Sequence, residues 1–293
     1  MKNKLSLFAV PYVGWMSIFV VAPIIIMVVY AFSTAAGDFT LENFARMGTY
    51  TAVFTRSFKL AIIATLIALL IGYPVSYMLS KEGPQVQRIA MVLIMLPMWM
   101  NFLLRTYSWM SILENNGLLN QLFQQIGLID LYNQIAMHFA SDPAAYVPID
   151  HFQMIGTQGA VVLGMVYNYL PFMILPIYSV LVKLDHSLIE AARDLGASSV
   201  QVFRKVILPL SLPGVLSGIT MVFVPSVSTF AISRLLGGGT QIMLGDLIEQ
   251  QFLGGAYNPQ LGAAIALVMM AIVVVCMLVM NRFGDGEEQA VML

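Results

Sequence analysis

Twenty-five residues, EAARDLGASSVQVFRKVILPLSLPG from Glu190 to Gly214, begin with a dense run of charge in a chain that is 59% hydrophobic and only 10% charged. Their types suit recognition rather than bond-making. Ser187-Leu-Ile-Glu190 fits a capping box, a hydroxyl at the N-cap and a carboxylate three residues on, and predicts a short helix from about Leu188 to Leu195. Gly196 suits the left-handed position that ends it. Ser198-Ser-Val-Gln201 is a second capping box, opening a helix through Phe203 to Leu208 that Pro209 limits. Leu188, Ala191, Ala192 and Leu195 give the first helix an apolar stripe with small residues, which allow close approach. Two readings are open for such a helix–turn–helix: an amphipathic connector lying on a membrane surface, or a docking element for a cytoplasmic protein.

The elements that hold this island are apolar. The chain has 293 residues with a formal net charge of −1, and its mean hydropathy is +0.83. That is more apolar surface than a soluble domain of this size buries. Six runs reach the ~20 apolar residues that cross a bilayer: about 9–32, 58–80, 89–110, 158–182, 210–233 and 261–281. The expected fold class is an all-α integral membrane protein with six transmembrane helices. The first run is longer than a signal-peptide core and reads as a retained helix. Near-neutral charge argues against a nucleic-acid partner. The single cysteine, Cys276, lies in an apolar run, which excludes a disulfide framework. His138 and His151, in the long connection near 111–157, read as solvated rather than as metal ligands. With the N-terminus inside, nine of the fourteen Lys and Arg residues fall on the cytoplasmic side, Lys2, Lys4, Lys81, Arg88 and Lys183 among them. That bias predicts two cytoplasmic termini and a cytoplasmic 190–214 island.

At the island the sequence resembles a known family. Glu190-Ala191-Ala192, three residues, Gly196, nine residues, then Val206-Ile207-Leu208-Pro209 is similar to the EAA motif of ABC importer permeases of the type I, MetI-like class. The usual pattern has Ile where Val206 stands. The resemblance implies that this loop is the coupling helix docking in a groove of an ATP-hydrolysing subunit, with Glu190, Ala191, Ala192, Asp194, Gly196 and Pro209 at the contact. Pro97-Met-Trp99-Met-Asn101-Phe-Leu-Leu-Arg105-Thr-Tyr107-Ser-Trp109 and Leu170-Pro171-Phe172-Met-Ile-Leu-Pro176-Ile-Tyr178-Ser179 resemble the spermidine/putrescine branch. The expected organisation is an N-terminal helix and external loop at 1–56, a permease core at 57–282 with its coupling loop at 183–209, and a cytoplasmic tail at 283–293. The implied partners are ABC ATPase subunits, a second permease subunit of different sequence, an extracytoplasmic substrate-binding protein and membrane lipid. The implied site is the bacterial cytoplasmic membrane.

No GxxxxGK[ST] loop is present, so this chain is not expected to hydrolyse ATP itself or to bind a cofactor, and the resemblance implies that ATP and Mg are held by the partner ATPase. A polycationic cargo favours aromatic faces, amides and carboxylates. Trp99, Asn101, Tyr107 and Tyr167 are the pathway candidates within spans, with Asp246 and Glu249 at the outer mouth. Each aromatic is also an interface anchor by type. Arg105 and Arg234 run against a cation and keep an anion, a ferric ion or an amino acid as alternative cargo. A secondary transporter would carry intramembrane acids, which the six runs lack. A membrane enzyme would show HExxH, GxSxG or an acid/base pair within a span, and none is present.

Overall fold

The computed structural model describes residues 11–139 and 146–291. Lys2 and Lys4 lie outside the described residues. Helix dominates, and among the described residues the only extended pairing is an isolated bridge between Ser33 and Phe39. Lipid offers no partner for backbone N–H and C=O groups, so each crossing segment must satisfy its own.

In chain order, α1 (Pro11–Ala31) and α2 (Thr51–Ser80) are the first two crossing helices. The third, expected as one unbroken run near 89–110, is a bent pair. α3 (Pro84–Met95) passes through a tight 3-10 turn at Leu96–Trp99, and the stretch Phe102–Gln125, which opens with α4 (Phe102–Leu113), is bent by 90° from it. The cause is local. Pro97 lacks a backbone donor, and Met100 and Asn101 are extended, with ψ of 151° and 129°. The Asn101 side chain then caps α4, accepting from the Leu103 and Leu104 N–H groups at 2.8 and 3.4 Å.

The long connection is not a plain loop. It holds α5 (Leu118–Gln125) and α6 (Leu128–Phe139) before α7 (Gln158–Leu181) crosses again. α8 (His186–Asp194) is the first helix of the charged island. α9 (Ser199–Ser228) crosses back, followed by α10 (Ala231–Leu236) and α11 (Leu244–Leu253). The fifth crossing, expected to reach 233, stops at Ser228 because Thr229 turns extended, with ψ 141°. Ser226 and Ser228 hydroxyls bond back to the Val222 and Val224 carbonyls just before the stop, a pattern that bends helices. α12 (Pro259–Val291) is the last helix and continues beyond its apolar part, Pro259–Met280.

α2, α7 and α9 form the core of the bundle. α2 turns Ala64, Ala68, Gly72 and Ser76 inward at intervals of four, which lets helix backbones approach without large side chains between them. Ser76 Oγ lies 3.1 Å from the Ile174 carbonyl of α7. A Cβ on Gly214 of α9 would stand 2.8 Å from the Pro176 carbonyl oxygen, so this contact admits only glycine without a backbone shift. Met173, Ile177 and Val222 fill the remaining space and are fully buried. Pro74, Pro171, Pro176, Pro213 and Pro225 sit inside helices that run on through them. α2 and α7 start at the end where α9 finishes. The opposite end carries Ser80, Leu181 and α8, so the island and the α10–α11 region lie at opposite ends of the bundle.

Candidate functional site

The island is built as a self-closed loop. Asp185, not Ser187, caps α8, its carboxylate accepting from the Ser187 N–H at 2.9 Å. Both residue types cap well, and the carboxylate also meets the positive end of the helix dipole. The helix therefore starts two residues earlier than its hydroxyl suggests. At the other end the Gly196 N–H donates to Arg193 O (2.8 Å) and the Ala197 N–H to Ala192 O (3.1 Å). This is the Schellman pair, and Gly196 sits at φ +81°, where other residues are strained. The second capping box is present: Ser198 N–H to Gln201 Oε1 at 2.8 Å, and Gln201 N–H to Ser198 Oγ at 3.4 Å. Pro209 does not end that helix. A π turn at Phe203–Ile207 widens the ladder, the Leu208 N–H reaching back to Phe203 O, and α9 runs through the proline.

One face of the loop is anchored. Ile189, Ala192 and Ala197 pack onto buried Val202 and Ile207, and Phe203 meets the rings of Tyr73 and Tyr77 edge-on at 5.9 and 5.3 Å. The other face is bare. Leu188, Glu190, Ala191 and Asp194 are exposed, and Leu195 is 89% exposed. Of the expected stripe, Ala192 turns inward while Leu188, Ala191 and Leu195 point out together.

The pathway residues of the third crossing do not gather into one cluster. Trp99 and Tyr107 are exposed on the two sides of the break, and the Asn101 side chain is engaged as a cap. Tyr167 is half-buried and meets Trp109 edge-on at 5.3 Å. Among the described residues Arg105 pairs with no acid, and it does not reach outward. It is buried, and its Nε and Nη1 have no hydrogen-bond partner. Asn168 is buried too, donating to Gly164 O at 2.9 Å while its Oδ1 stays unpaired.

Asp246 and Glu249, one turn apart on α11, stand differently. Asp246 is 3% exposed. Its Oδ2 accepts from the Met243 N–H at 3.0 Å, and its Oδ1 has no partner. The Ser233 hydroxyl close by donates to Phe230 O at 3.0 Å instead. Burial pushes the Asp246 carboxyl above its usual range, the neighbouring Glu249 charge adds to this, and the Met243 N–H and the Arg234 charge pull it partly back. Arg234 grips Glu249 with both terminal nitrogens, Nη1 to Oε1 at 3.1 Å and Nη2 to Oε2. Sequence reasoning missed this pairing, because no helical spacing links residues fifteen apart across the Gly237–Gly239 turn. Among the described residues no three His, Cys, Asp or Glu side chains gather to hold a metal.

The described residues form a multi-pass bundle with a bare loop at one end. The chain belongs to the family described as binding-protein-dependent transport system inner membrane component, which matches residues 64–286. It is 35% identical over 281 residues to the spermidine/putrescine transport system permease protein PotB of Escherichia coli (strain K12), covering 93% of this chain and 95% of that one. The PotB protein of Haemophilus influenzae (strain ATCC 51907 / DSM 11121 / KW20 / Rd) is 35% identical over 285 residues, 93% of each chain. In fold it matches a bacterial ABC transporter involved in import of the acidic polysaccharide alginate, with a TM-score of 0.76 at 16% identity over 97% of this chain and 96% of that one. The MetNI methionine ABC transporter matches at a TM-score of 0.54 and 19% identity, over 84% and 98%. The chain is thus an all-α permease subunit of the type I ABC importer fold.

Proposed function

We propose that this chain is the translocation subunit of an ATP-driven importer of polyamines, spermidine or putrescine. One observation carries the cargo: the match to PotB permeases runs through 93% of the chain at 35% identity. The outward triad of Leu188, Ala191 and Leu195 supports docking of a partner ATPase that holds ATP and Mg, with Glu190, Ala192, Asp194, Gly196 and Pro209 fixing the loop's shape and charge. Lys81, Arg88, Lys183, Arg193, Arg204 and Lys205 sit at that same end, which supports a cytoplasmic island and cytoplasmic termini. A second permease chain completes the pathway, and an extracytoplasmic binding protein loads it from the α10–α11 end.

Closure of the ATPases on ATP moves both coupling loops, and the bundle exchanges inward-open for outward-open states because each ligand binds one state better. Asp246, with one free oxygen, offers a cargo ammonium group an acidic contact, and Glu249 beside it is held by Arg234. Trp99, Tyr107 and Tyr167 offer ring faces. The anion reading loses support at Arg234, whose charge Glu249 already neutralises.

Uptake into proteoliposomes tests the reading. The subunit is assembled with its neighbouring permease, ATPase and binding protein, with labelled spermidine outside and ATP inside. ATP-dependent uptake blocked by putrescine, but not by phosphate, an amino acid or a ferric chelate, is expected. ATPase stimulation by one of those other solutes, without spermidine uptake, would overturn the cargo and keep the family.

A further inference from the structure

The first and last helices leave a two-storey groove that the import reading does not use. α1 and α12 pack together through Ala31, Ala263 and Ala264. Beside this contact lies a cavity of about 490 Å³ walled by apolar side chains, Ile26, Met27, Phe252 and Ala266 among them. A second cavity, of about 520 Å³, shares Tyr30, Tyr257 and Pro259 with the first and opens among Thr34, Glu42, Arg46 and Asn258. The lower cavity flanks the apolar spans Pro11–Ala31 and Pro259–Met280. The upper one starts where α1 ends and α12 begins. The two therefore meet near the membrane–water boundary, where tyrosines are favoured.

The upper cavity carries both signs of charge. Arg46 Nε and Nη2 bond to the same carboxylate oxygen, Glu42 Oε1, at 3.0 and 2.7 Å. Glu42 Oε2 and Arg46 Nη1 are left open, and both side chains are more than half exposed. An occupant must be apolar below and must present an anion and a hydrogen-bonding cation side by side above.

We propose that this groove binds one zwitterionic aminophospholipid of the leaflet remote from α8. An acyl chain lies in the apolar cavity, the phosphate meets Arg46, and the primary ammonium meets Glu42. A free polyamine has nothing to fill the lower storey. An acidic lipid has no cation for Glu42. An apolar helix of another subunit would fill the lower storey and leave the charged one unmatched.

Native mass spectrometry of the importer tests this after extraction from vesicles of equal phosphatidylethanolamine and phosphatidylglycerol. One phosphatidylethanolamine per copy is expected to stay bound, preferred by about fivefold, the discrimination that one partly exposed ion pair supplies. Glu42→Gln is expected to bring the preference close to even while ATP-driven uptake is unchanged. Ala266→Phe, which fills the lower cavity, is expected to lose the retained lipid of either kind. Equal retention of both lipids by the unaltered protein would mean annular lipid only and overturn the proposal. So would a preference that survives Glu42→Gln, or a groove that is lipid-free and cross-links through Tyr257 to the second permease. Glu42 lies on the surface, so its result stands even where Ala266→Phe fails to fold.

Discussion

At the α8 end the polar groups of the loop close on one another: the Asp185 cap, the Schellman pair at Gly196 and the Ser198–Gln201 box. What that end leaves unsatisfied is apolar, chiefly Leu195 and Leu188. At the α11 end Leu244 and Leu247 are buried while Leu253, at the helix end, stays exposed, and the group left over inside is polar, the free Oδ1 of Asp246. The contrast separates two kinds of readiness. A surface that waits for a protein keeps its backbone finished and its side chains bare, because burial of apolar area drives association. A site that waits for a charged solute keeps a polar atom undersatisfied, because the solute supplies the missing partner.

The strongest way to break this comparison is Gly196→Val. At φ +81° an ordinary side chain costs about 1–2 kcal/mol, and a β-branched one costs more. Open space surrounds the position, so the cost comes from the backbone and not from a clash. The expected outcome is a fall of about tenfold or more in ATP-driven uptake with membrane insertion intact, read by transport and by extraction yield. Normal uptake would remove the docking role from the loop.

At the other end Asp246→Asn is expected to separate stability from transport. Burial raises the folded-state pKa above the usual 3.8, so folding favours the protonated carboxyl. Its stabilising share is complete below the unfolded-state pKa and is lost as pH rises through the folded-state one. Above the folded-state value the folded chain carries an ionised carboxylate at a cost. The thermal midpoint of the unaltered protein is expected to fall as pH rises above about 4 by more than that of Asp246→Asn, while the variant imports spermidine several-fold more slowly. Equal pH slopes with normal uptake would reduce Asp246 to a helix cap.

The two ends were also unequally legible. The α8 loop could be read because its signals are local: Gly196 and the Ser198–Gln201 box act within five residues. Even there Asp185 outcompeted Ser187, and the π turn carried α9 past Pro209, since caps and prolines act in competition with their neighbours. Five of the six apolar runs became single crossing helices. The third run broke at Met100–Asn101 because one asparagine could cap a helix that hydropathy alone does not interrupt. The pairing of Arg234 with Glu249 and the burial of Asp246 depend on how α11 folds back past the glycine turn. Only tertiary placement decides that.

The smallest effect is expected at Ser198→Ala, and it sharpens the comparison most finely. The substitution removes the hydroxyl that accepts the Gln201 N–H at 3.4 Å and leaves the 2.8 Å bond from the Ser198 N–H to Gln201 Oε1 in place. A lost N-cap costs about 1 kcal/mol. Half of this box survives and its lost bond is long, so a fraction of that is expected. The loop's shape rests mainly on Gly196 and on Phe203 against Tyr73 and Tyr77, neither of which the change touches. Hydrogen exchange of the α8–α9 turn should quicken slightly, with uptake within about twofold of normal, the factor that a few tenths of a kcal/mol allows. A loss of uptake as deep as that of Gly196→Val would show that the hydroxyl itself contacts the partner, and the α8 end would then present polar as well as apolar groups for docking.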